Sequence, residues 1–244
     1  MYNPPAYLWA ITIAGVAGTL ALTCVALYGG ARRAGQGTRR AALLAGAAAV
    51  LLGSWFVASG MIAGNGGYRT LPWLPIAVFG SLVTLLLLFR IPPVARALAA
   101  PGMTSRLIYP HAFRVAGVAF LLAMALGHLP VMFALPAGLG DIAAGIAAPR
   151  IARRLAQGTG RRAALWFTAF GAADLVLALT LGALSGFQLL DAAPLGQWNT
   201  ELPLVLIPTV DVPLLLALHI TSAIALLKAA RTPERAAFSA TATG

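Results

Sequence analysis

Apolar residues fill this chain in long runs, and the runs are broken by short segments where arginine, glycine and proline gather. Residues 7–28 and 41–63 form two such runs, each about the 20 residues that a helix needs to cross a bilayer. A third, shorter run covers 73–89. Residues 115–149 hold no lysine or arginine, yet one helix of that length would extend roughly 52 Å, too far for a single crossing of about 30 Å. The pattern therefore predicts a hairpin turning at the GHLP segment, with spans over 115–129 and 131–149. Two more runs, at 163–187 and 202–227, complete the expectation: an all-α, polytopic membrane protein of seven transmembrane helices in a single domain, 1–228, with a short flexible tail at 229–244. No basic segment of the secretory-signal kind precedes the first run, which is long enough to span and is expected to be a retained helix.

The basic residues orient these runs. Arginines 32, 33, 39 and 40 follow the first run; Arg90, Arg96, Arg106 and Arg114 lie between the third and fourth. Arg150, Arg153, Arg154, Arg161 and Arg162 separate the fifth from the sixth, and Lys228, Arg231 and Arg235 follow the last. Seven crossings place all of these on one side, with Arg69 alone opposite, and the positive-inside bias makes that side cytoplasmic. The expected topology is N-terminus outside, C-terminus cytoplasmic. Tyr7, Trp9, Tyr68 and Trp73 at the outer ends and Tyr28, Tyr109 and Trp166 at the inner ends sit where amphipathic rings prefer to lie.

Composition changes little in this picture. Residues are 60% hydrophobic and only 9% charged, against about 25% charged in a soluble domain. The net charge of +11 is accounted for by the cytoplasmic loops, so the expected partner is the lipid bilayer and not nucleic acid. Alanine-rich, lysine-poor usage points to a bacterial inner membrane. Cys24, the single cysteine, excludes an intrachain disulfide and a thiolate-rich metal site.

Candidate chemistry lies in the acids within the runs. Asp141 falls about 15 Å and Asp211 about 12 Å below the outer surface, and Asp174 about 16 Å above the inner one, by helical rise. A carboxylate near the midplane is costly unless paired, protonated or wetted, so all three are candidate ligand or ion-binding residues. Gly138, Gly171 and Pro208 each precede an aspartate by three residues; on a helix that spacing shares a face, and glycine there lets another backbone approach. Around Asp141 the smooth strip continues through Gly145 and Ala148.

Pro136 and Pro213 deprive the carbonyls of Met132 and Thr209 of their helical partners. Helices five and seven are thus expected to be kinked or broken, at Pro136 and at Pro208/Pro213. A break would make Asp141 and Asp211 the N-caps of half-helices starting at Ile142 and Val212, as in many secondary transporters. A kink would leave the aspartates as interhelical glue. Supporting residues are Thr209, His219, Trp55, whose mid-helix indole N–H needs a partner, and Arg114, the one arginine placed to tuck into the bundle and pair an acid.

His219 and Asp211 are about 12 Å apart along one helix, too far to share a metal. His111 and His219 both fall toward the inner side, either beside headgroups or facing each other as metal or haem ligands. A covalently bound retinal is not expected, because Lys228 stands at the end of the last helix and not at its middle. Cofactor and metal are otherwise undetermined. Three functions compete: a small carrier or channel-like protein with a midplane acidic site for a proton, metal cation or cationic solute; a membrane-embedded enzyme using aspartate acid/base chemistry on a lipid or isoprenoid; and a non-catalytic subunit or sensor with a structural polar cluster.

Overall fold

A computed structural model describes residues 4–186 and 200–241. Among them the chain is all helical, without a strand, and six helices are long and apolar enough to cross a membrane. They are α1 (Ala6–Arg33), α2 (Thr38–Gly64), α5 (Met103–Ala125), α6 (Val131–Ala156), α7 (Arg161–Gly186) and the final helix α8 (Val212–Thr241), which is entered through a π-helical turn at Ile207–Asp211. Between α2 and α5, α3 (Trp73–Leu88) and α4 (Pro92–Leu98) form a pair bent by 87°. Pro92 and Pro93 cannot continue α3, because they lack an N–H and push the preceding residue out of helical geometry, but they are tolerated as the first residues of α4. Residues 187–199, Asp191 among them, lie outside the described residues.

The last helix is the axis of the bundle. From Thr209 to Leu218 it is buried on every side, as expected of a helix apolar all round. In contrast α2 is peripheral: Leu43, Val50, Val57 and Met61 face outward. Phe79, Ile146, Trp166 and Phe170 do the same on α3, α6 and α7. Long apolar helices with an apolar exterior are the construction of a membrane protein.

The two ends of the bundle differ. At one, Gln36 Nε2 donates to Pro93 O at 2.9 Å, Ser105 Oγ to Ala152 O at 2.9 Å and Arg161 Nη2 to Leu226 O at 2.6 Å. These contacts draw together the segments rich in arginine, and we call this the basic end. At the other, Arg69 pairs with Glu201 at 3.0 Å, and Leu8, Leu129, Phe133 and Leu204 pack into one apolar cluster.

The structure corrects some expectations and narrows others that were left open between a kink and a break. The fourth long helix starts at Met103 and not at 115, so Arg114 stands mid-helix instead of at the edge of a loop. A search for charge-free runs misses such a helix because an arginine whose charge is met inside the bundle does not stop it. Secondly, α6 is continuous from Val131 to Ala156 through Pro136, so there is no break there and Asp141 caps nothing. Thirdly, the backbone stays helical from Asp211 into Val212; a π turn, not an interruption, takes up the disturbance from Pro208 and Pro213. In addition, α8 runs on to Thr241, through residues expected as a tail.

The centre of α5 is also irregular. Tyr109–Gly117 forms nine residues of 3-10 helix, longer than the usual three or four. Pro110 opens it, and its narrow coil lies on the smooth strip of α6. A Cβ at Gly145 would meet the Val115 nitrogen at 2.6 Å, and one at Gly138 the Gly117 carbonyl at 3.1 Å. The glycine strip does admit a neighbouring backbone, and that backbone belongs to α5.

Candidate functional site

The 3-10 segment of α5 places Arg114 in the middle of the bundle with its side chain fully enclosed. Its Nε donates to Asp141 Oδ1 on α6 at 2.7 Å, its Nη2 to Asp174 Oδ2 on α7, and its Nη1 to the Gly171 carbonyl at 3.3 Å. Each nitrogen of the guanidinium is thus engaged, two of them by carboxylates, a planar fork that lysine cannot reproduce.

Glycine makes this crowding possible. A Cβ on Gly117 would run into the Asp141 side chain, one on Gly140 into the Asp174 carboxyl, and one on Gly171 into the His219 ring and the Arg114 guanidinium. The expected face-sharing of Gly171 with Asp174 therefore has a specific use, since the space at Gly171 is filled by a ring and a guanidinium from two other helices.

Asp211, in the π turn, is buried beside Thr19 of α1 and lies within electrostatic reach of Asp141 and Arg114. Its Oδ1 has no hydrogen-bond partner. The Thr19 hydroxyl also donates to Gly15 O at 3.1 Å, so its one proton is contested. Arg114 thus binds two carboxylates, and the third, Asp211, is short of donors.

Toward the basic end, His111 and His219 stack with ring centroids 4.0 Å apart and planes inclined by 35°. Phe167 closes against both, at 5.6 and 5.5 Å. Both imidazoles are buried, so neither lies beside headgroups, and His111 Nδ1 and His219 Nε2 have no partner. The haem arrangement is also excluded: a metal sits roughly 2 Å from each ligating nitrogen, and rings on opposite sides of an iron stand much farther apart than 4.0 Å. Among the described residues no three His, Cys, Asp or Glu side chains are grouped to hold a metal ion.

Behind Asp211 a second network braces the π turn. Trp55 Nε1 donates to the Thr209 carbonyl at 2.9 Å, the carbonyl that Pro213 leaves without a helical donor. Thr209 Oγ1 donates to Val205 O at 2.7 Å and lies 2.7 Å from Ser59 Oγ, which is 3.2 Å from the Tyr68 hydroxyl. Burial pushes the Tyr68 hydroxyl above its ordinary pKa, against the opposing effect of its hydrogen bond with Ser59.

The candidate residues Asp141, Asp174, Asp211, Arg114, Trp55, Thr209 and His219 therefore fall in or next to one polar zone. Missed were Gly117, Gly140, Thr19 and the double use of Arg114. The signal for Arg114 was present: an arginine followed by 35 residues without lysine or arginine is placed more economically inside a helix than at its edge.

No curated protein and no solved structure matches this chain. A family model matches residues 71–227, the stretch that carries Arg114, all three aspartates and the His111–His219 pair but not Thr19 or Trp55. Since that match covers well over half of its length, the chain belongs to the family described as Domain of unknown function (DUF8737).

Proposed function

We propose that this protein is a multi-pass carrier or channel-like protein whose midplane site takes up a proton or small cation at Asp211. The observation that carries this reading is the imbalance of charge around Arg114: three buried carboxylates, one guanidinium, and an Asp211 oxygen without a donor. Moving an uncompensated ion out of water costs several kcal/mol even after relaxation. A single added positive charge at Asp211 relieves that cost. For Asp141 and Asp174 the same geometry favours the structural role, since Arg114 already binds both.

The seven-crossing topology, N-terminus outside and C-terminus cytoplasmic, fits this site. Its support is the contact from Gln36 to Pro93, which returns the chain to the basic end after α2 and α3, and the Arg69–Glu201 pair at the opposite end. Arg114 drops out of the loop tally, but the other basic residues keep the expected bias. The π turn between Pro208 and Pro213, and Pro136 within α6, are where a bend belongs on physical grounds. A bacterial inner membrane remains the setting that the composition supports.

The test uses purified protein in sealed proteoliposomes with a trapped pH indicator and an imposed potential. The wild type is expected to carry a proton or cation current that Asp211→Asn abolishes while the variant stays folded. A current unchanged in Asp211→Asn removes the proposal.

A further inference from the structure

The polar side-chain atoms that are buried without partners are not scattered. Of those among the described residues, all but Thr12 Oγ1 fall along the seam where α7 and α8 meet the 3-10 segment of α5: Asp211, His219 and Ser222 on the last helix, Thr168 and Arg161 on α7, and His111 on α5. On α7, the positions 161, 168, 171 and 174 share a face by their spacing of seven, three and three. On the last helix the series descends from Asp211 to His219, then Ser222, and reaches Leu226, whose carbonyl takes a hydrogen bond from Arg161 at 2.6 Å. That is roughly 22 Å by helical rise, from the middle of the bundle to the basic end.

Toward the opposite end the Thr209–Ser59–Tyr68 chain is already hydrogen-bonded within itself, and of the unpartnered buried atoms among the described residues only Thr12 Oγ1 lies off the seam. Beyond the carboxylates, toward the opposite end, Leu8, Phe120, Leu129, Phe133, Leu204 and Ile207 pack into one apolar cluster. Buried polar atoms are rarely left alone, and water, which makes two to four hydrogen bonds, is the small partner that such a line accepts.

We propose that the α7–α8 seam is a water-lined path that delivers protons to the carboxylates from the basic end, with the stacked His111–His219 pair at its neck. It rests on the reading of Asp211 as the charge-accepting group. Water gives a proton to a free imidazole nitrogen, the ring releases one to the next water, and an Asp211 oxygen receives it; each carrier returns to its starting state. The groups facing the neck are Arg114 above, with Asp141 and Asp174 beyond it, Phe167 at the side and Arg161 below.

The experiment is a thiol-access assay. In a Cys24→Ser background, Ser222→Cys and Thr168→Cys are near-isosteric reporters on the seam, and Ala123→Cys reports on the apolar cluster of the opposite half. Small, membrane-impermeant methanethiosulfonates, one cationic and one anionic, are applied to either side of sealed vesicles containing the full chain. Because thiolate in contact with water is the reacting species, the seam cysteines are expected to react more than roughly ten-fold faster from the basic side than from the other. Ala123→Cys is expected to stay unreactive from both sides. Seam cysteines that do not react, or that react equally from both sides, overturn the path, and with the Asp211→Asn current still lost they leave the proposed function standing. A reactive seam with an unchanged Asp211→Asn current does the reverse: the path stands as a water-lined crevice and the function fails.

Discussion

Removing the guanidinium from Arg114 by Arg114→Ala leaves Asp141 and Asp174 facing each other across the space it filled. Breaking a buried ion pair by deleting one partner costs about 3–5 kcal/mol, because the other charge stays buried without compensation. Here two carboxylates lose their cation and the Gly171 carbonyl loses a donor, so the upper part of that range applies. A chain of this size shifts its Tm by roughly 2–4 °C per kcal/mol. The expected loss is therefore about 10–20 °C. Cys24, half-buried on α1 and the only thiol, makes the assay simple: a fluorogenic maleimide reports unfolding of the detergent-solubilised protein as the temperature rises.

A companion variant separates charge from packing. Arg114→Gln with Asp141→Asn and Asp174→Asn replaces the ionic cluster by neutral amides, and replacing a buried cluster whole is often neutral. The triple variant is expected to recover more than half of the loss. Arg114→Ala melting within two or three degrees of wild type, or a triple variant no better than the single one, would refute the reasoning that Arg114 compensates buried negative charge.

Other substitutions follow from the same geometry. Gly140→Ala puts a methyl into the Asp174 carboxyl and is expected to lose about 1–3 kcal/mol by overpacking, whereas Gly53→Ala on α2, where a Cβ meets nothing within 4 Å, should gain up to about 1 kcal/mol; thermal unfolding of the pair gives opposite signs if the packing is right. Trp55→Phe removes the indole donor from the Thr209 carbonyl and should cost about 1–3 kcal/mol by the same assay. Arg69→Ala, at an exposed ion pair, should change stability by less than about 1 kcal/mol. Asp211→Asn should leave the Tm unchanged or raised, because it removes an acid with no cation of its own; a large fall would favour the purely structural subunit.

Much of this was legible in the sequence, for reasons that can be named. Apolar run length located the long helices because a crossing demands about 20 apolar residues whatever their identity. The three aspartates stood out because burial makes a carboxylate expensive. The carbonyl freed at Thr209 was visible from Pro213, though the indole that takes it up comes from a helix 154 residues away in sequence. What one-dimensional reasoning lost was pairing between helices. Arg114 was counted with a basic loop and also offered as the arginine that could pair one acid; that it pairs two was out of reach, because those carboxylates lie 27 and 60 residues further on. Of the kink and the break left open at Pro136, the break is absent, because packing of α6 against α5 holds the helix together across a residue that costs it one hydrogen bond. His111 and His219 were set at the inner side, but only the fold brings the rings together at 4.0 Å.

The central claim is that Asp211 accepts the positive charge that Arg114 does not supply. Infrared difference spectroscopy of the protein in lipid, on adding acid or a small cation, measures this directly. The expected result is a carboxyl signal that Asp211→Asn removes and that persists in Asp141→Asn and Asp174→Asn. A difference spectrum unchanged by Asp211→Asn would contradict the account.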